Sequence, residues 1–149
     1  MKRFRYRMES LLKIKRHRER ERQKEHAEAL QKVFDQQEQL RRIDDSRSTM
    51  LDSQRDRQVG NLSLTYLQLC SRYLVKLKRD TLVGRETLRA YEVEAEKRRQ
   101  RLVKASQERQ IYEKLKERQK DRFYKEADRR ENKENDEIAL NSFRLNQQT

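Results

Sequence analysis

The chain has 149 residues, of which 44% are Asp, Glu, Lys or Arg and only 32% are hydrophobic, and its formal net charge is +13. A hydrophobic share so far below the roughly 45–50% of an ordinary soluble domain excludes a thick core and the enclosed pocket that most enzymes need. Pro is absent and Gly occurs only at positions 60 and 84, which leaves room for one sharp reversal at most. Abundant Leu, Arg, Lys, Glu and Gln favour an ordered helical chain over a disordered one.

The first predicted element is a helix over about 6–56, with apolar residues at alternating steps of four and three. This is the 3.5-residue period of a coiled coil. The apolar seam residues of this half are Met8, Leu12, Ala29, Val33, Leu40, Ile43 and Met50. The seam has a gap, because residues 15–26 include no apolar side chain. We expect this stretch to pair weakly and to depend on spaced ion pairs such as Glu21–Lys24.

A turn is predicted over 57–63, where Arg57-Gln58-Val59-Gly60-Asn61 breaks the period. Either Asn61 or Ser63 could cap the helix that follows, since both side chains can accept a hydrogen bond from a free backbone N–H. The reversal at Gly60 would bring the two halves of the chain together as one domain over 1–149.

The second predicted helix covers about 64–140 and continues the coiled-coil period. Its seam residues are Leu67, Cys70, Leu74, Leu77, Leu88, Tyr91, Ala95, Leu102, Ala105 and Tyr112, and the seam positions Thr81, Gly84, Arg98 and Arg109 depart from the pattern. Gly84 indicates a site of close packing or a slight bend rather than a functional hinge. The predicted fold is therefore all-α, a long antiparallel two-helix coiled-coil hairpin whose longer second helix overhangs the first.

The positive charge is concentrated near the two ends of the chain. Residues 1–26 carry 11 basic and 4 acidic residues, and residues 97–133 carry 15 and 7. Residues 27–96 carry 12 of each, and residues 134–149 carry 1 and 3. An antiparallel hairpin would bring the two basic segments together at one tip, where their field would steer an acidic partner. A solvated, self-repelling helix face is the alternative for either run taken alone.

The sequence indicates no catalytic, cofactor or metal site. Neither Gly lies in a phosphate-binding GxxxxGK[ST] loop. His17, His26 and Cys70 lack the spacing of a zinc site, and His26 falls on the seam. The pair Asp44–Asp45 has no predicted cavity that would shift its pKa. We expect a protein without enzyme activity, cofactor or metal.

The single cysteine and the hydropathy of the chain indicate the cellular compartment in which the protein works. Cys70 is the only cysteine, so no intramolecular disulfide can form, which suits a reducing environment. No apolar run approaches the ~18 residues that span a membrane, and no apolar signal segment follows the start. We therefore expect a cytoplasmic protein.

Four segments resemble the FliJ family of the flagellar type III export apparatus. The opening reads Phe4-x-Tyr6-Arg7-Met8-Glu9-Ser10-Leu11-Leu12-Lys13-Ile14. Tyr73-Leu74-x-x-Leu77 follows the predicted turn, Glu113-Lys114-Leu115-Lys116-Glu117-Arg118 precedes Tyr124, and Asp136-Glu137 precedes Phe143. Together these segments extend the resemblance over nearly the whole chain.

The resemblance implies a stalk-like coiled coil, similar to the central stalk of rotary ATPases, whose terminal end enters the hexameric export ATPase. The implied ATPase-binding residues are Phe4, Tyr6, Arg7, Leu11, Ile14, Arg18, Lys114, Leu115, Arg118 and Tyr124. Binding to the membrane export gate would involve Gln39, Ile43, Tyr73 and Leu77, although Ile43 and Leu77 are also seam residues that core packing would explain. The family further implies chaperones of export substrates as partners, and association with the membrane through partners only.

Two alternative functions compete with the flagellar stalk. One is the equivalent stalk of an injectisome, which the physical pattern of the sequence does not distinguish. The other is a basic coiled coil that binds nucleic acid, which a sequence pI near 10.1 invites. Against it, aromatic platforms for bases are lacking and acidic residues are interleaved through both basic runs. We therefore do not expect nucleic acid as the partner.

Overall fold

The protein folds into two long helices, which confirms the predicted all-α class. This computed structural model describes residues 3–57, 60 and 63–147, with only the backbone for residues 146 and 147. Helix α1 covers Glu9–Arg57 and helix α2 covers Leu64–Gln147, and no strand occurs among the described residues. In the same part of the chain, neither helix contains a segment long and apolar enough to cross a membrane.

Helix α1 begins at Glu9, three residues after Tyr6. Tyr6 packs in the core although it lies outside the helix. The Tyr6 side chain is buried. The backbone carbonyl of Tyr6 accepts a hydrogen bond of 3.3 Å from the backbone N–H of Glu9. Glu9 then supplies the negative charge that favours a helix N-terminus. At the other end of α1, Arg55 and Arg57 place positive charge on the last turn, where the exposed carbonyls favour it.

Helix α2 begins at Leu64, immediately after Ser63. The Ser63 carbonyl accepts the first bond of the helix, 3.1 Å from the backbone nitrogen of Leu67. Gln58, Val59 and Asn61 lie outside the described residues, so the proposed cap by Asn61 stays a prediction. At its far end α2 reaches Gln147 rather than residue 140, since nothing after Gly84 is a Gly or a Pro.

The contacts of the chain divide it into two compact units. The middle unit comprises Arg20–Val103, and the terminal unit comprises Met1–Glu19 with Lys104–Thr149. In the middle unit α1 and α2 run antiparallel, because Glu25 contacts Arg98, Gln36 contacts Gly84 and Ser53 contacts Tyr66. Buried seam residues of this unit are Ala29, Cys70, Leu77, Gly84 and Ala95, and half-buried ones are Val33, Leu40, Ile43, Met50, Leu67, Leu74 and Leu88. Most of the predicted apolar period therefore forms the contact between the helices, although the predicted seam residue Tyr91 is exposed.

Three seam positions that depart from the apolar pattern of the middle unit have specific partners. Thr81 donates its hydroxyl to the Leu77 carbonyl at 2.9 Å, so its polar atom is satisfied within α2. Arg98 donates to the Glu25 carbonyl of α1 at 3.1 Å and pairs with Glu94. Gly84 accepts a hydrogen bond of 3.2 Å from the Gln36 side chain through its carbonyl.

Close packing explains the glycine at position 84. A Cβ atom on Gly84 would lie 2.7 Å from Cδ2 of Leu40, which is closer than two carbon atoms approach. We predict that Gly84→Ala leaves the free energy of unfolding within about 1 kcal/mol of the original, because the gain in helix propensity offsets the displacement of Leu40. Gly84→Leu should destabilise by about 1–3 kcal/mol, since a larger group cannot be accommodated. Urea unfolding measures both, and equal stability of the two variants would contradict close packing at this position.

Candidate protein-binding surface

The terminal unit is held by a small core at the start of α1. Leu12 is fully buried, and Tyr6 and Ala105 are buried as well. The Tyr6 hydroxyl donates to the Tyr112 carbonyl at 3.2 Å, which ties the segment before α1 to helix α2. The Phe4 ring packs on Phe123 with the ring centroids 5.7 Å apart. The contacts of Phe4 and Tyr6 hold the segment before α1 against residues 112–123 of α2.

Cross-helix ion pairs occupy the gap in the apolar seam of the terminal unit. Lys15 Nζ lies 2.7 Å from Glu108, and Arg16 lies 2.9 Å from Glu113. Glu19 pairs with Arg109, the seam position that the apolar pattern left unexplained. One turn before the buried Leu12, Glu9 pairs with Lys116 at 2.7 Å. Helix α1 therefore continues through this stretch with charged partners on α2, and its weak pairing stays a prediction.

These ion pairs shift the pKa values of their members. Hydrogen bonds from Lys116 and Lys15 lower the pKa values of the Glu9 and Glu108 carboxyls below their ordinary value of 4.5. The hydrogen bond with Glu19 raises the pKa of the Arg109 guanidinium. A carboxyl whose pKa is lower in the folded state contributes stability above its unfolded-state pKa, and that contribution disappears as the pH falls through the folded-state value.

Acid should loosen the terminal unit selectively. As the pH falls through their lowered pKa values, the Glu9 and Glu108 carboxylates become protonated, and their bonds across the two helices weaken. In the middle unit Glu94 and Glu96 also have lowered pKa values, but they pair with Arg98 and Arg99 within α2. We predict that amide hydrogen exchange between about pH 6 and pH 3.5, corrected for the intrinsic rate, increases more in residues 9–19 than in residues 29–50.

A matched variant provides the control for this pH dependence. Glu108→Gln removes the titrating group while it keeps the size of the side chain, so the terminal unit of this variant should respond less to acid. If hydrogen exchange accelerates equally in both units, and equally in the Gln variant, the cross-helix carboxylates do not control the stability of the terminal unit.

We expect the Glu19–Arg109 ion pair to stabilise the seam less than two apolar side chains would at the same positions. Both side chains are mostly removed from solvent, which costs desolvation energy that their attraction only partly offsets. We predict that Glu19→Leu with Arg109→Leu raises the free energy of unfolding by about 1–2 kcal/mol, since two apolar seam residues then face each other. Arg109→Leu alone should destabilise, because Glu19 loses its partner. Urea unfolding of both variants tests this, and a less stable double variant would contradict it.

An exposed apolar and basic surface lies on one flank of the terminal unit. The Arg16–Glu113 pair marks one flank of the two helices. Ile14 and Ile111 each precede a member of that pair by two residues, about 200° around the helix, so both face the opposite flank. Ile14 is 54% exposed and Ile111 is 64% exposed.

Half-buried leucines and exposed basic residues complete this surface. Leu11 and Leu115 follow the helical spacing of Ile14 and Ile111 and are half-buried. The exposed basic residues near these stripes are Arg7 in the turn just before α1, Arg18 on α1, and Lys114 and Arg118 on α2. We call these eight residues the apolar–basic flank. Its apolar centre with a charged rim is the arrangement found in protein interfaces.

The structure brings most of the predicted ATPase-binding residues together. Arg7, Leu11, Ile14, Arg18, Lys114, Leu115 and Arg118 belong to the apolar–basic flank. Phe4 and Tyr124 both pack against Phe123, with Tyr124 edge-on at 5.6 Å between ring centroids. Tyr6 is buried in the core, which favours a structural role for it. Sequence reasoning missed Ile111 and Phe123, although Ile111 lies at helical spacing from Leu115 and Arg118.

The predicted gate-binding residues divide between two open grooves of the middle unit. Gln39, Ile43 and Leu77 line one groove together with Gln36 and Val83. Tyr73 lines a different groove, together with Thr49, Met50 and Leu69. Gln39 is exposed, whereas Leu77 is only 6% exposed. This burial favours the alternative that Leu77 packs in the seam.

The described residues contain no cluster of three or more His, Cys, Asp or Glu side chains that could hold a metal ion. His26 is half-buried on α1, and Cys70 is buried as a free thiol.

Two long, charged helices that pack along a narrow seam define the chain as a paired-helix protein. A model of the family described as flagellar FliJ protein matches residues 4–148, so the chain belongs to the FliJ family. This match confirms the resemblance seen in the sequence, and it makes the chain a component of the flagellar protein export apparatus. Comparisons with curated proteins and with solved structures found no match.

Proposed function

We propose that this chain is a non-enzymatic, stalk-like component that binds the hexameric flagellar export ATPase and promotes its assembly. The observation that carries the proposal is the apolar–basic flank, where Ile14 and Ile111 remain exposed between basic side chains. Apolar side chains at the centre of such a surface supply binding energy, and the surrounding charges orient the partner. The proposed partner surface is therefore apolar at its centre and acidic at its rim.

The proposed stalk is a coiled-coil hairpin whose α2 extends beyond the residues that α1 covers. Every described side chain from residue 128 to residue 145 is exposed, which supports such an extension. The net positive charge of residues 1–26 and 97–133 would steer the terminal unit toward an acidic site on the ATPase ring.

Substitutions in the apolar–basic flank should weaken ATPase binding without unfolding the helices. We predict that Arg7→Glu with Arg118→Glu, and separately Ile14→Asp, lower affinity about tenfold or more, since interface centres contribute over 1 kcal/mol per residue. The measurement is ATP hydrolysis and co-elution of the export ATPase at near-physiological salt, with helix content followed by circular dichroism.

Two control variants make this experiment specific. Phe34→Asp changes an exposed apolar residue of α1 in the middle unit, 63% exposed, and should leave ATPase stimulation unchanged. Leu74→Asp puts a charge into the seam and should reduce helix content. No stimulation by the original chain would refute the proposal, and tight salt-sensitive DNA binding in its place would support the nucleic-acid alternative.

We also propose that the middle unit contacts the membrane export gate and chaperones of export substrates, from the cytoplasmic side of the membrane. The groove that Gln39 and Ile43 line supports this assignment, because it offers an amide and apolar surface together. We predict that Gln39→Arg weakens binding to the cytoplasmic part of the gate protein and leaves ATPase stimulation intact. Tyr73→Asp tests the other groove in the same way. If the original chain, Gln39→Arg and Tyr73→Asp pull down equal amounts of the gate protein, neither groove binds the gate.

A further inference from the structure

A groove of the middle unit is lined by apolar side chains from both helices. Leu51 of α1 and Leu74 of α2 line it and are half-buried. Val75 and Leu82 of α2 line it as well, and they are 66% and 55% exposed. These four side chains leave apolar area in contact with solvent, and burial of that area would stabilise a complex with a partner.

The charged side chains that line this groove are all basic. They are Arg47, Lys78 and Arg85, and each of them is exposed. None of the three forms an ion pair with another described residue, whereas Arg98 and Arg99 of the same unit pair with glutamates. We call this site the cationic groove. Its positive charges lie beside apolar side chains, which favours an acidic partner with apolar residues of its own.

The cationic groove shares no lining residue with the two grooves of the predicted gate-binding residues. Asp80 and Thr87 line the groove of Gln39. Each of them follows a basic residue of the cationic groove, Lys78 or Arg85, by two residues, about 200° around α2. The cationic groove therefore opens on the opposite flank of the two helices. Both of the other grooves include an aspartate, so of these three grooves only the cationic one carries charge of a single sign.

The spacing of the lining residues on α2 indicates which kind of segment fits the groove. Ser71, Val75, Lys78, Leu82 and Arg85 succeed one another at steps of four, three, four and three. Residues at this spacing form one side of a helix–helix contact, so α2 carries a second stripe of this kind beside the seam that packs on α1. The stripe extends over about 21 Å of α2, which matches a helix of ordinary length.

Other occupants fit the cationic groove less well. An extended strand repeats its side chains every second residue, which does not match steps of three and four. A flat bilayer or a nucleic acid backbone would meet the cations but leave the half-buried Leu51 and Leu74 uncovered. A second copy of this chain has a net charge of +13, which opposes its approach. Helices α1 and α2 account for nearly all residues, so the chain itself has no further segment that could supply a third helix.

We propose that the cationic groove binds an acidic amphipathic helix of another protein, which packs as a third helix against α1 and α2. Apolar residues at steps of three and four on the partner cover Val75 and Leu82. Carboxylates beside that stripe pair with Arg47, Lys78 and Arg85, whose flexible side chains reach the edges of the contact. This inference does not depend on the proposed ATPase or gate contacts, because the cationic groove shares no residue with those surfaces.

A designed peptide tests the charge and the spacing of the partner. The probe is a fluorescein-labelled peptide of three heptads, with Leu at the a and d positions and Glu at e and g, and a matched peptide carries Lys in place of Glu. We expect the full chain to bind the Glu peptide with a dissociation constant below ~100 µM at near-physiological salt, measured by fluorescence anisotropy, and not to bind the Lys peptide. No binding of the Glu peptide, or equal binding of both peptides, overturns the proposal.

Reversal of the groove charges should reverse the preference between the peptides. Lys78→Glu with Arg85→Glu should lower the affinity for the Glu peptide about tenfold or more and allow the Lys peptide to bind. Arg72→Glu with Arg79→Glu is the matched control, because it changes the net charge equally at exposed positions of α2 outside the groove. Arg79 lies about 100° around α2 from Lys78, so this control should retain the affinity within about threefold. An equal loss in both double variants overturns the proposal, since overall charge alone would then attract the peptide.

An apolar variant separates a packed helix from simple charge attraction. Leu82→Ser should lower the affinity for the Glu peptide about fivefold or more, whereas Val93→Ser, at an exposed apolar position of α2 outside the groove, should not. Circular dichroism checks that each variant keeps its helix content. An affinity that Leu82→Ser leaves unchanged overturns the proposal, because the partner would then not pack on the apolar side chains.

The same charge-reversal variant identifies any other occupant. The original chain and Lys78→Glu with Arg85→Glu are compared for co-sedimentation with phosphatidylglycerol vesicles, for binding to duplex DNA and for self-association by sedimentation equilibrium. We expect the variant to match the original chain in all three measurements. If the Glu peptide does not bind and the variant loses one of these interactions, the groove belongs to a lipid surface, a nucleic acid or a second copy, and the proposal is overturned.

Discussion

The apolar seam between α1 and α2 is too narrow to stabilise the whole length of both helices. In the middle unit it consists of single apolar residues at steps of three and four, several of them alanine or half-buried. Each such residue buries little area, so pairing depends on the seam continuing along the chain rather than on one strong contact. Where the seam lacks apolar residues, other interactions must hold the helices together.

Ion pairs supply that contact in the terminal unit. Lys15, Arg16 and Glu19 occupy the gap on α1, and Glu108, Arg109 and Glu113 face them from α2. Exposed pairs contribute little each and respond to salt and acid, whereas apolar contacts do not. The two units therefore depend on different physical interactions, although both are built from the same two helices. The unit that combines a small apolar core with these ion pairs is also the one that carries the exposed apolar–basic flank.

A surface of this kind is compatible with the membership of the chain in the FliJ family. Leu12 and Ala105 are buried in the terminal unit, whereas Ile14 and Ile111 stay exposed on one flank. Burying those two residues against a partner would add apolar area that the protein itself lacks. In the proposed export stalk, binding energy would come from this flank, and the positive charge of the two ends would govern the encounter.

The sequence by itself determined the helices, the position of the reversal and most of the seam, because periodicity and the scarcity of Gly and Pro are local properties. Helical spacing alone also puts Leu11, Ile14 and Arg18 on one stripe of α1. Only the tertiary structure showed that Tyr6 and Leu77 are buried, that Gln39 and Tyr73 line different grooves, and that Arg109 pairs with Glu19. Those outcomes depend on which residues of α2 face which residues of α1. That register is set by contacts between residues far apart in sequence, which no pattern within one helix contains.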